Sequence, residues 1–108
     1  LKYGNKIGIL CAGRFNRAMI DDTACAGLMV DIVRDRVENV ELNDGGKIAL
    51  AVWEYYDKNM LEAFKDAEHA QSLRALGLWS DVEYAALQDE SKIVPKLAIW
   101  QGLKAVVT

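Results

Sequence analysis

The segment between residues 6 and 27 restricts what this chain can fold into more than any other. It opens with an almost unbroken apolar run over residues 6–11, passes through a small-residue loop, and enters an acid-headed helix at Asp21 and Asp22. An apolar run of this kind is typical of a strand that is buried on both faces. We therefore predict a strand–loop–helix unit, with any ligand site at the carboxyl end of the strand, as in other α/β proteins.

The sequence that follows predicts short helices separated by turn residues. A first helix is expected from Asp21 to about Val37, and Gly27 within it would allow the backbone of a neighbour to approach closely. Turn and cap residues predict the bounds of three further helices: a start at Asn43-Asp44-Gly45-Gly46, a break at Asn59, and a stop at Gly77 after residues 68–76.

The run Ser80-Asp81-Val82-Glu83 has the pattern of a capping box. In this motif the Ser80 side chain accepts from the Glu83 N–H, and the Glu83 side chain returns to Ser80. Trp79 and Tyr84 occupy the two positions of a hydrophobic staple. A helix from residue 81 to about residue 88 is the prediction.

The last part of the chain predicts a β-hairpin. Pro95 ends any helix, and two apolar runs over residues 96–100 and 103–107 flank Gln101-Gly102. We expect this hairpin to share a small mixed sheet with the strand over residues 6–11, and the helices to pack on that sheet. The fold class is then α/β, as a single domain over residues 1–108.

Composition excludes several functional classes. The net charge of −3 and the isoelectric point near 5.1 disfavour nucleic-acid binding, because no basic stripe is present to neutralise phosphates. No apolar stretch reaches the roughly 20 residues that a membrane-spanning helix needs, and no signal peptide is recognisable. The absence of an initiator Met at Leu1 indicates a trimmed or proteolysed product, or a piece of a longer protein.

The two cysteines, Cys11 and Cys25, are too few for a disulfide scaffold. We interpret them as buried, reduced thiols of a cytoplasmic protein. A catalytic cysteine would need a histidine nearby, and the single histidine, His69, lies far along the chain in a predicted helix. A solvent-facing or helix-capping role for His69 is favoured over a catalytic one.

Charged residues around the first loop suggest a site for a cation and an anion. Asp21 and Asp22 could hold Mg²⁺, which takes oxygen ligands, or could simply cap the helix that they begin. Arg14 and Arg17 could clamp a phosphate or sulfonate, or could lie free on the surface. Backbone N–H groups near Gly13 would favour an anion at the same place.

Taken in order, these residues resemble the C-terminal half of the 2-phosphosulfolactate phosphatase family. The matching segments are short and follow one another along nearly the whole chain: Cys11-Ala12-Gly13, Phe15, Ile20-Asp21-Asp22, Cys25-Ala26-Gly27, Asn43-Asp44, Ala49-Leu50-Ala51, His69 to Leu76-Gly77, Asp81 to Ala86, and Val94-Pro95. The resemblance implies part of a three-layer α/β/α fold and a Mg²⁺-dependent phosphatase that hydrolyses 2-phospho-3-sulfolactate in the synthesis of coenzyme M.

The same resemblance implies roles for individual residues. Asp21 would bind the metal, Asp22 would orient water or a neighbouring group, and Gly13 with Arg14 and Arg17 would bind a small phosphorylated anion. This chain departs from the family pattern in that Asp21 replaces a glutamate, the loop after Gly13 lacks glycine, and Ala85 replaces a cysteine.

The resemblance covers only part of the family's length, so residues that complete its site would lie elsewhere. We accordingly expect weak or no turnover by this chain alone, because phosphoryl transfer depends on the mutual positioning of metal and phosphate. A homodimer or higher oligomer is expected to cover the surface that the other half would occupy. The alternative function is a non-catalytic oligomerising or binding module derived from that fold.

Overall fold

The computed structural model describes residues 4–107, and over that range the fold is mixed α/β with a majority of helix. In chain order the elements are α1 (Ile20–Arg36), α2 (Asp44–Tyr55), α3 (Met60–Asp66), α4 (Glu68–Ala75), α5 (Trp79–Ala85), β1 (Lys96–Trp100) and β2 (Leu103–Val107). None of the helices in this part of the chain is both long and apolar enough to cross a membrane.

Helices α1 and α2 approach each other closely at Gly27. A Cβ atom at this position would collide with the Ala49 carbonyl oxygen and would lie 2.6 Å from the Cβ of Trp53. Only a residue without a side chain permits the two backbones to pack this tightly. The prediction that Gly27 serves close backbone approach is confirmed.

The core of the helical part is small and centres on one tryptophan. Trp53 is 2% exposed and packs with Ala24, Met60 and Ala63 from α1 and α3. Its indole Nε1–H donates to Asp31 Oδ2 at 3.1 Å, so the polar end of the ring is satisfied as burial requires. These contacts join α1, α2 and α3 into one packed unit.

Two asparagines begin helices as the sequence predicted. The Asn43 side chain accepts a hydrogen bond from the Gly46 N–H at 2.8 Å, and the Asn59 side chain accepts one from the Glu62 N–H at 3.2 Å. Each bond satisfies an N–H that has no partner within its own helix. The starts of α2 and α3 are therefore fixed by local sequence.

The predicted stop at Gly77 is also confirmed. Gly77 has φ of +74° and its N–H donates to the Arg74 carbonyl at 3.0 Å, while the Leu78 N–H donates to the Leu73 carbonyl at 2.9 Å. This pair of bonds is the Schellman arrangement that ends helices at a left-handed residue.

The predicted capping box at Ser80 is wrong. Helix α5 already begins at Trp79, its N-cap is Leu78 without a side-chain bond, and it ends at Ala85 rather than near residue 88. The turn at Gly77 leads directly into the new helix, so Ser80 lies inside its first turn. The predicted staple gives way to a different contact, in which the Arg74 guanidinium lies 4.1 Å from the centre of the Trp79 ring.

The predicted strand over residues 6–11 is absent, and with it the sheet that this strand was to share with the hairpin. The sheet described here has two strands, with β1 antiparallel to β2 and Ala98 opposite Ala105. Residues 4–12 make no backbone–backbone hydrogen bond within residues 4–107. A strand requires a neighbour for its N–H and C=O groups, and none of the described elements takes that place.

Candidate functional site

A pocket of about 360 Å³ lies where the first loop meets the N-terminus of α1 and the start of α4. Its lining brings together four residues predicted for the site and two that were not: Gly13, Arg14, Asp21 and Asp22, with Met19 and His69. Four of the five predicted site residues thus line one pocket, and Arg17 lies next to them in the loop without lining it.

The loop that forms one wall is a tight turn. Arg14 and Arg17 exchange two backbone hydrogen bonds, of 3.1 and 3.0 Å, around Phe15 and Asn16. Both central residues have positive φ, as tight two-residue turns between antiparallel segments commonly require. Gly13 has φ of +68°, and a Cβ atom there would lie 2.7 Å from the Arg17 carbonyl oxygen, so this position also requires glycine.

Asp22 holds this loop against α1 through two contacts. Its Oδ2 accepts a hydrogen bond from the Gly13 N–H at 2.7 Å, and its backbone carbonyl accepts a 3.6 Å contact from the Cys11 Sγ. A bond to a charged acceptor is among the stronger hydrogen bonds in proteins. The Gly13 N–H predicted to bind an anion therefore already has a carboxylate partner within the chain.

Asp21 is directed instead toward the second wall. One carboxylate oxygen, Oδ1, accepts from the Asp22 N–H at 3.1 Å, and Oδ2 lies 3.6 Å from the Nδ1 of His69. The Asp21 side chain is 23% exposed and that of His69 is 48% exposed. The interpretation of His69 as solvent-facing agrees with this exposure, and the same side chain also lines the pocket beside Asp21.

The two predicted clamp arginines have different surroundings. Arg14 lines the pocket, and its Nη1 donates to the Ser72 Oγ at 3.3 Å. Arg17 forms a 2.9 Å ion pair with Glu68, and both of these side chains are about two-thirds exposed. An exposed pair of this kind contributes little to stability. Arg17 is not among the residues that line the pocket.

Helix α4 supplies the part of the site that sequence reasoning missed. Three of its residues, Glu68, His69 and Ser72, each contact a residue between positions 14 and 21. His69 and Ser72 follow Glu68 by one and four positions, so the three side chains lie on neighbouring faces of the helix within little more than one turn. This spacing of polar residues is a signal for α4 in the sequence, but it does not reveal which loop the helix meets.

The environment of the Cys25 thiol near the pocket does not favour an activated nucleophile. Both cysteines are free; Cys25 is half-buried, whereas Cys11 is exposed, contrary to the expectation that both are buried. Burial, followed by the nearby charges of Asp21 and Asp22, raises the pKa of the Cys25 thiol. A raised pKa disfavours the thiolate, which is the reactive form.

The fit of Mg²⁺ to the pocket depends on the carboxylates of Asp21 and Asp22, which both line it. One oxygen of Asp22, Oδ2, already accepts a hydrogen bond from the Gly13 N–H. Residues 4–107 contain no group of three or more His, Cys, Asp or Glu side chains placed to hold a metal. Mg²⁺ commonly binds through one or two carboxylates with water and substrate phosphate as further ligands, and the carboxylate of Asp21 is a ligand of the type that Mg²⁺ accepts.

A family model described as 2-phosphosulpholactate phosphatase matches residues 1–99. A probable 2-phosphosulfolactate phosphatase of Clostridium acetobutylicum is 33% identical over 97 residues, which make up 89% of this chain and 40% of that protein. A protein of the same name from Thermus thermophilus is 38% identical over 92 residues, or 85% of this chain and 38% of its own length. The chain spans about two fifths of the length of these curated relatives.

Proposed function

We propose that this chain, which belongs to the 2-phosphosulfolactate phosphatase family, carries part of the active site of an enzyme that hydrolyses a phosphate monoester. One observation supports this proposal above the others. A basic side chain, Arg14, and the carboxylate of Asp21 line a single pocket although a loop and a helix terminus contribute them separately. Anion binding and metal binding at one place are the two requirements of phosphoryl transfer.

In this proposal Arg14 binds the phosphoryl oxygens. A guanidinium is always charged and matches the geometry of phosphate, so it both orients the group and stabilises the charge on it. The hydrogen bond to Ser72 holds the side chain on the pocket side of the loop. Arg17, which does not line the pocket, would add positive potential without direct contact.

Asp21 is the residue proposed to hold Mg²⁺, and His69 steadies its carboxylate from the facing helix. When bound, Mg²⁺ would neutralise charge on the phosphoryl oxygens. Asp22 was predicted to orient water or a neighbouring group, and its bond to Gly13 supports the second of these roles. Its contribution is then to keep the loop, and so Arg14, in place.

For the substrate we propose 2-phosphosulfolactate, or a similar small phosphorylated sulfonate of the coenzyme M type of pathway. This proposal derives from the names of the relatives, and the pocket is consistent with a small anion. We further propose that the chain forms part of a larger three-layer α/β/α fold, and that residues outside it complete the site. Weak or no turnover by this chain alone follows from that arrangement.

The test is a titration of the isotope-labelled chain with inorganic phosphate, with and without Mg²⁺, followed by NMR. We expect amide shifts at residues 13, 14, 21 and 69, and weaker binding for Arg14→Ala. Arg34→Ala, which removes an arginine from the last turn of α1, is the matched control and should bind as the unaltered chain does. Unmoved amides around the pocket, or equal loss in both variants, would contradict the proposal.

A non-catalytic binding or oligomerising module is the second candidate. It is favoured by large apolar side chains left on the surface, among them Leu10, Leu97 and Ile99, which are 96%, 69% and 72% exposed. The two candidates separate in a longer form of the protein that includes the rest of the family's length. Phosphatase turnover that is lost in Asp21→Asn supports the enzyme, and unchanged absence of turnover with intact association supports the module.

A further inference from the structure

Residues 6–12 have the composition of an interior strand but none of the contacts of one. Their backbone N–H and C=O groups make no backbone–backbone hydrogen bond within residues 4–107. Ile7 is 54% exposed, Ile9 40% and Leu10 96%. Apolar side chains and unpaired backbone rarely remain together on a protein surface.

We propose that residues 6–12 pair along both edges with strands from the part of the family's fold that lies outside this match. The segment then becomes an interior strand of the completed sheet. The inference depends on family membership and on the unpaired backbone, and it stands or falls independently of the catalytic proposal.

The side-chain pattern indicates an interior position. In an extended chain Ile7, Ile9 and Cys11 would lie on one face and Leu10 on the other. Neither face carries a charge after Lys6. Edge strands usually carry charged residues or proline that prevent pairing, whereas strands covered by helices on both faces read as continuous apolar runs.

The rest of the family's fold is a better occupant than a second copy. The relatives extend over about two and a half times the matched length, so three fifths of their residues are available to supply strands and covering helices. A second copy offering its own residues 6–12 would satisfy one edge of each segment and would leave the other edge unpaired. In the described structure the hairpin strands β1 and β2 pair with each other and not with residues 6–12.

Pairing of this segment would also position the pocket. The run continues directly into Gly13, whose N–H is bound by Asp22, and Cys11 contacts the carbonyl of the same residue. A strand held at both edges would therefore fix the loop that carries Arg14. The chain segment that enters Gly13 would then connect the completed sheet to the proposed site.

The experiment measures hydrogen exchange by mass spectrometry in two proteins. One is this chain alone, and the other is the Clostridium acetobutylicum relative with this chain in place of its matching segment. We expect amides 7–12 to exchange without protection in the isolated chain and at least about 100-fold more slowly in the exchanged protein, as paired strand amides do. The relative itself, unaltered, should protect the aligned segment to the same degree.

Ile9→Pro is the informative variant, because proline removes an N–H and is excluded from central strands. It should abolish the protection in the exchanged protein and leave the thermal melting of the isolated chain unchanged. Asn5→Pro, just outside the run, is the control and should preserve the protection.

Three outcomes would overturn the proposal. Fast exchange of the segment in the unaltered relative would show that it is not a paired strand, whether or not the exchanged protein folds. Protection in the dilute isolated chain would mean that the segment is covered from within. Protection of the isolated chain that rises with concentration would identify a second copy as the occupant.

Discussion

The helical part of the chain and the segments on either side of it differ in how completely they are packed. Trp53, at the centre of the contact between α1, α2 and α3, is 2% exposed, whereas Leu10 before α1 is 96% exposed and Ile99 in β1 is 72% exposed. Both regions are rich in apolar residues. The difference is that Trp53 packs against neighbouring helices, whereas Leu10 and Ile99 remain largely exposed in the part of the chain that the structure describes.

The largest expected effect concerns the exposed apolar side chains of the hairpin. We predict that the isolated chain forms a homodimer or higher oligomer through the apolar face of the hairpin, which exposes Leu97, Ile99 and Val106. Association at micromolar concentration corresponds to about 8 kcal/mol. Sedimentation equilibrium should give at least twice the chain mass of 12.0 kDa. Ile99→Lys should shift the equilibrium toward monomer, and a monomer in the unaltered chain would contradict the prediction.

The next effect contrasts the buried side chain of Trp53 with the exposed side chain of Leu10. Trp53→Ala removes the centre of the core and is expected to lower the free energy of unfolding by about 3–5 kcal/mol. Leu10→Ala should change it by less than about 0.5 kcal/mol, because the side chain makes no packed contact in this chain. Urea denaturation of both variants measures the contrast. Similar losses in the two would show that residues 6–12 are packed after all.

The packing of α1 on α2 provides a smaller effect. Gly27→Ala introduces a methyl group against the Ala49 carbonyl, and we expect a loss of about 1–3 kcal/mol as the helices separate. Gly45→Ala is the matched control, since a Cβ atom there would meet its nearest neighbour, the Asn43 side chain, at an ordinary 3.5 Å. Equal stability of the two variants by urea denaturation would contradict the close approach described here.

The smallest expected effect is a dependence of stability on pH at the edge of the core. The Lys58 ammonium, bonded to Asp31 at 3.0–3.3 Å, is the main cause that lowers the pKa of the Asp31 carboxyl below its usual value, with the Trp53 N–H adding to it. A carboxyl whose pKa is lower in the folded state stabilises the protein above its unfolded pKa, near 4, and this stabilisation is lost as pH falls through the folded value.

Asp31→Asn should therefore flatten this dependence. Urea midpoints at pH 6 and pH 3 should differ less in the variant than in the unaltered chain, and Asp35→Asn, also on α1, serves as control. If Asp31→Asn and Asp35→Asn show the same pH dependence as the unaltered chain, the ion pair with Lys58 is not coupled to folding.

Sequence predicted best those features that a few neighbouring residues determine. Asn43, Asn59 and Gly77 fix helix ends through bonds that span three to five positions, and each was located in advance. A local pattern can also fail, as it does at Ser80. The turn at Gly77 leads directly into the next helix, so Ser80 lies within the first turn of that helix and is not its N-cap.

Features that depend on distant partners were predicted poorly. The run over residues 6–11 has the composition of a strand, yet composition does not supply the neighbour that a strand requires. His69 reaches Asp21 only because α4 packs beside the first loop, across 48 positions of sequence. The loop, the two aspartates and Arg14 were identified because they lie within ten residues of one another.

The contact at Gly27 has a mechanical consequence for the pocket. Gly27 lies six residues beyond Asp21 on the same helix, a distance of about 9 Å at 1.5 Å per residue. A rigid helix tilted by about 10° at that point would displace Asp21 by roughly 1.5 Å relative to His69, and shifts of about 1 Å can cost an active site two orders of magnitude in rate. The tilt of α1 therefore depends on how closely it packs on α2 at Gly27. In this way a contact in the interior of the protein determines where Asp21 lies in the pocket.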